Sequence, residues 1–136
     1  MKMKAFILTA IVIVSMVSCK KGGNPVSPYL FGKWEVHRVY DGFIIPPDSI
    51  YKPGNGNILQ FNSDSTYDRY ANNKLTAQGI YHIRKNGFKN NQSNYDEVYF
   101  DSDTSFKSLI MLNGDILTIK PLIPDIATTD YQKMQD

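Results

Sequence analysis

The sequence predicts an all-β fold, a small up-and-down antiparallel β-barrel of about eight strands. Three observations predict it. Nine tyrosines and seven phenylalanines, with many Thr, Val and Ile residues, suit strands. Clusters of Gly, Asn, Asp and Pro recur at short intervals as turn signals. No window after residue 28 sustains the i, i+3, i+4, i+7 spacing of a long amphipathic helix.

Residues 32–40 open the domain, with Trp34 and Val36 alternating against Glu35 and His37, so that one face is apolar and the other wet. Residues 41–57 carry Pro46, Pro47 and Pro53, each without an N–H, which keeps them out of a central ladder. A long loop is expected there, with an apolar patch at Phe43, Ile44 and Ile45. Residues 57–62 and 65–71 form a hairpin around Asn62-Ser63-Asp64-Ser65, pointing Leu59, Phe61 and Tyr67 inward. Residues 76–84 set Gly79, Tyr81 and Ile83 against Ile80 and His82, and Asn86-Gly87 with the polar run 89–94 ends that strand in an exposed loop. Residues 95–101 place Val98 and Phe100 on one face, and after an Asp101-Ser102-Asp103 turn a strand covers 106–112. Asn113-Gly114 joins it to 116–119 and is the strongest two-residue hairpin signal, because Asn and Gly tolerate the positive φ of a type I′ turn. Beyond Pro121 and Pro124, residues 128–134 supply a closing strand.

Sequential hairpins with one long first loop favour a closed barrel over a sandwich, which wants longer crossovers. An eight-stranded interior is either filled by side chains or wide enough for one small ligand. Val36, Phe61, Tyr67, Tyr81, Phe100, Met111 and Tyr131 are the candidate lining residues, and the same residues are plain core if the barrel is full. The leading expectation is a module that takes a small apolar or amphipathic molecule into the barrel. The alternative is a non-catalytic interaction or structural module of the cell envelope with a filled barrel.

At the N-terminus Lys2 and Lys4 precede an apolar run over 5–17, and Ser18 sits immediately before Cys19, the layout of a secretory signal peptide. The run falls short of the roughly 20 apolar residues a spanning helix needs. Met16-Val17-Ser18-Cys19 resembles the lipobox of bacterial lipoproteins. That resemblance implies cleavage before Cys19, acylation of Cys19 and residence on the outer membrane, facing the periplasm or the surface. Two or three acyl chains, at about 0.8 kcal/mol per buried methylene, hold a protein stably on a membrane. The chain then divides into a signal peptide (1–18), a lipidated tether (19–28) and one barrel domain (29–136). With the sole cysteine carrying lipid, no disulfide is available.

Cleavage removes Lys2 and Lys4, so 15 basic side chains become 13 and match the 13 acidic ones. A neutral chain lacks the clustered positive charge of a nucleic-acid footprint. Its other candidate partners are the membrane, through Cys19, a small apolar ligand, and a protein or glycan that the residues do not identify. The residues also argue against an enzyme: there is no Gly-x-Ser-x-Gly elbow and no free thiol. His37 and His82 fall on outward positions without neighbouring ligands, so neither metal nor cofactor is expected. Asp101-Ser102-Asp103 lacks the glycine and distal glutamate of a calcium loop, and Gly54-Asn55-Gly56 lacks the third glycine and helix of a dinucleotide fingerprint. Asp96 and Glu97 point to opposite faces of one strand and cannot share a proton-transfer site.

Gly32-Lys33-Trp34 resembles the Gly-x-Trp signature of lipocalins and lipocalin-like bacterial domains. Phe61-Asn62-Ser63-Asp64-Ser65-Thr66-Tyr67 and Gly79-Ile80-Tyr81 resemble segments of the small lipocalin-like lipoproteins, and the similarity covers roughly residues 29–134. It implies structural roles for Gly32 and Trp34 and puts residues 41–57 where a lipocalin carries its lid. Trp34 either plugs the closed end of the barrel or touches ligand, and a large indole early in an inward stripe is usually core.

Overall fold

Alternation between greasy and wet side chains becomes a sheet that curls until its edges meet. The computed structural model describes residues 28–42 and 49–135. The signal sequence, Cys19, nearly all of the tether, and Phe43, Ile44 and Ile45 lie outside the described residues. A 3₁₀ turn at Pro28–Leu30 leads into β1 (Gly32–Tyr40), β2 (Ser49–Ile50), β3 (Ile58–Phe61), β4 (Thr66–Ala71) and β5 (Lys74–Lys89). Then follow β6 (Asn94–Phe100), β7 (Ser108–Asn113), β8 (Ile116–Pro121) and β9 (Thr128–Lys133). From β3 onward each strand pairs antiparallel with its successor, and β9 returns to pair with β1 from Trp34↔Lys133 to Tyr40↔Thr128. The result is the predicted fold class: a closed up-and-down barrel of eight strands, lipocalin-like in architecture, with β2 as a short addition on the edge of β1 beside β3.

β5 is the longest strand, at 16 residues, and serves two ladders. Its first half pairs with β4, from Lys74 to Ile80, and its second half with β6, from Tyr81 to Lys89. Such a stagger is what closing a sheet into a tilted barrel demands. It also leaves a gap above the end of β6, into which the β6–β7 loop folds.

The register corrects four local expectations. β5 does not stop at Asn86-Gly87; a bulge between Arg84 and Phe88 absorbs the pair, with Asn86 at φ 52°, and the ladder resumes to Lys89. The turn between β7 and β8 is shifted by one: Asn113 pairs with Ile116, leaving Gly114-Asp115 as the two-residue loop, with Gly114 at φ 61°. The turn in which both central residues take the positive φ of type I′ is Asn72-Asn73, at 50° and 63°, between Ala71 and Lys74. β7 begins at Ser108 rather than near 106.

Residues 41–57 are not loop throughout, because Ser49 and Ile50 pair with Val39 and Arg38. The chain then turns over the outer face of β1, where the buried Glu35 carboxylate accepts the N–H groups of Gly54 and Gly56 at 2.7 and 2.9 Å. Two charge-assisted bonds offset the burial of that charge and tie the turn down.

Packing divides the barrel into a filled half and an open half. At the filled end Trp34 and Leu30 are wholly buried, and the indole Nε1–H donates to the Leu30 carbonyl at 2.8 Å. The Lys133 ammonium sits 5.0 Å from the indole ring centroid. Gly32, just before, takes φ 115°, a conformation that side chains disfavour. Phe61 meets Tyr81 edge-on at 4.8 Å, and Val98 and Leu117 complete this floor without exposed surface.

Candidate functional site

The β4–β5, β6–β7 and β8–β9 connections gather at the opposite end from Trp34, and there the interior is not filled. A cavity of about 620 Å³ opens between them. Its walls are inward-phase side chains: Leu59 from β3, Tyr67 and Arg69 from β4, Phe100 from β6, Ile119 from β8, and Thr129 and Tyr131 from β9. The rim comes from the loops, with Asp101, Asp103, Phe106 and Lys107 on one side and Ile123, Ile126 and Ala127 on the other. Phe106 is 58 % exposed and Ile126 44 %, so the rim offers accessible apolar surface beside its charged groups.

Asp101 holds the gap above β6 in shape. It stands at φ 57°, donates its own N–H to the Ile80 carbonyl, and accepts the Ile80 N–H at 3.1 Å on Oδ1 and the Tyr67 hydroxyl at 3.1 Å on Oδ2. The carboxylate thus ends the β5–β6 ladder and fixes the Tyr67 ring, which meets Phe100 edge-on at 4.7 Å. Burial, and then the bond to Asp101, raise the Tyr67 phenol above its usual range. Tyr131 is raised as well, chiefly by burial, against the opposing charge of Arg69 and the Thr129 side chain.

The seven proposed lining residues separate into three groups. Tyr67, Phe100 and Tyr131 are walls of the cavity. Phe61 and Tyr81 are core beneath it, 1 % and 2 % exposed, and Val36 stands opposite Tyr131 in the ladder without reaching the cavity. Met111 is a correction. Ile110 pairs with Ile119 and is in the core, so Met111, paired with Thr118, falls on the outer face. The run Leu109-Ile110-Met111-Leu112 is apolar at every position, so its phase is set by the partner strand and not by alternation. Arg69 and Thr129 went unnoticed in the sequence. Arg69 is two residues from Tyr67 and therefore in the same phase, which was the available signal.

His37 is exposed and His82 stacks on the Tyr99 ring at 4.8 Å. Among the described residues no three His, Cys, Asp or Glu side chains converge on a common point.

Tyr81 supplies a pH test of the filled half. Burial, with a smaller contribution from the Asp64 charge, pushes its phenol up to about 12, and its hydroxyl donates to the Asn62 carbonyl at 3.1 Å. In the unfolded chain a tyrosine ionises near 10. The folded form therefore keeps a proton that the unfolded form releases. The stability contributed is complete below pH about 10 and is lost as pH rises through about 12. Urea midpoints are expected to fall across that window while tyrosinate absorbance rises, and Tyr81→Phe is expected to flatten the fall.

No protein-family model matches the chain, and no curated protein or solved structure is significantly similar to it.

Proposed function

We propose that this chain is a non-catalytic binding module, tethered to the outer membrane through acylated Cys19, that takes a small apolar or amphipathic molecule into the open half of its barrel. One observation carries the reading: a cavity of about 620 Å³ in which aliphatic and aromatic side chains share the lining with polar and charged ones, with an accessible rim. Its size lies within the roughly 300–1,000 Å³ typical of small-molecule sites, and the mixed lining suits a molecule with both an apolar and a polar part. The filled-barrel alternative describes only the half around Trp34. The lipid anchor rests on the sequence resemblance at residues 16–19.

Calorimetric titration of 1-decanol into the full-length chain carrying Cys19→Ser, which cannot be acylated, tests the binding. Saturable uptake is expected. Thr129→Trp, which sets an indole into the cavity, is expected to abolish it, and Met111→Ala on the outer face is expected to leave it unchanged. No uptake by the parent chain overturns the reading.

A further inference from the structure

Arg69 is the one cation placed among the cavity's wall residues, with Lys107 on the rim. Its guanidinium carbon lies 5.3 Å from the Phe100 ring centroid and 5.8 Å from that of Tyr67, so two aromatic faces hold it at the opening. Among the described residues it makes no ion pair, whereas Arg84 and Glu97 pair at 3.4 Å on the outer face of the barrel. The nearby carboxylates carry bonds of their own: Asp101 takes the Ile80 N–H and the Tyr67 hydroxyl, and Asp103 takes the Ser105 N–H. Among the described residues the Arg69 guanidinium has no hydrogen-bonded acceptor, and it shares the cavity with the apolar side chains of Leu59, Phe100 and Ile119.

We propose that the ligand is a singly charged carboxylate amphiphile, seated with its tail inward and its head on Arg69. This rests on the binding-module reading above. A planar carboxylate matches the guanidinium fork with two parallel hydrogen bonds, and the Phe100 and Tyr67 rings beside the guanidinium limit where that fork can lie. The rim charges set the number of charges on the head. Asp101 and Asp103 stand on the same rim as Lys107, so a head with one negative charge meets less repulsion from these carboxylates than a dianionic phosphate does.

The test compares decanoate, 1-decanol and decyl phosphate at neutral pH, again on the full-length chain carrying Cys19→Ser. Decanoate is expected to bind about tenfold more tightly than 1-decanol, the scale of one charge-assisted pair at a partly exposed site, with decyl phosphate weaker than decanoate. Arg69→Gln is expected to bring decanoate and 1-decanol together by weakening decanoate far more than 1-decanol, and Arg69→Lys to retain part of the preference. Equal binding of decanoate and 1-decanol by the parent chain overturns the carboxylate assignment and leaves the binding module standing. Failure of all three probes to bind removes both. The parent-chain comparison decides the matter even if the Arg69 variants do not fold.

Discussion

Trp34→Ala is expected to destabilise the barrel by about 3–5 kcal/mol, the cost of deleting a large aromatic from a close-packed interior. Against a total stability of about 5–15 kcal/mol for a domain of this kind, that is enough to leave much of the population unfolded near physiological temperature. The side chain is wholly buried, its Nε1–H is the bond that ties the Pro28–Leu30 turn to β1, and Leu30 packs in the same cluster. Removing the indole opens a void and strands the Leu30 carbonyl. Trp34→Phe separates the two effects, since it keeps most of the packing and loses the hydrogen bond, and is expected to cost less. Urea unfolding followed by circular dichroism measures both, because the chain has a single tryptophan and its fluorescence disappears with the substitution. A Trp34→Ala protein that unfolds at the parent midpoint would show that the closed end needs no plug.

Gly79→Ala is expected to cost about 2–3 kcal/mol, through crowding rather than through a void. A Cβ at position 79 would run into the Asp101 carboxylate, coming within 2.9 Å of its Cγ and 3.0 Å of the Tyr67 ring. Asp101 must then move, and the bonds to the Ile80 N–H and the Tyr67 hydroxyl go with it, at about 1 kcal/mol each. The paired variant Asp101→Gly removes the obstacle and suits the positive φ at that position. A double-mutant cycle is expected to show Gly79→Ala costing clearly less in the Asp101→Gly background. Additive losses would mean that the two residues do not meet. The cycle also probes the cavity, because the Tyr67 ring that Asp101 fixes is one of its walls.

The strand pattern was legible wherever one face of a strand is wet. In β1, the β3–β4 hairpin and β6 apolar residues recur at every second position over part of each strand, and their inward residues Trp34, Leu59, Phe61, Tyr67 and Val98 are buried as the sequence implies. Legibility failed where alternation stops. In β7 four apolar residues in a row hide the phase, and the pairing with β8 decides that Ile110 and not Met111 faces the core. Turn chemistry misled at Asn86-Gly87 and Asn113-Gly114, because an Asn-Gly pair suits a bulge or an offset loop as well as a type I′ turn. Of the cavity, the aromatic walls were readable and the cation was not. Charge argues for an outward position, while the phase of β4 carries Arg69 to the mouth, where it stays exposed with its guanidinium beside the Phe100 and Tyr67 rings. That half of β5 belongs to one ladder and half to another is a property of barrel closure, which no local window reports.

The Pro28–Leu30 turn lies at the filled end, so the polypeptide reaches the barrel from beneath its plug. If Cys19 is acylated, the nine residues leading to that turn span at most roughly 30 Å, so the anchor would hold the barrel by its sealed base. Tether and opening would then occupy opposite ends of the barrel, leaving the approach to the opening clear of the chain that leads to the membrane.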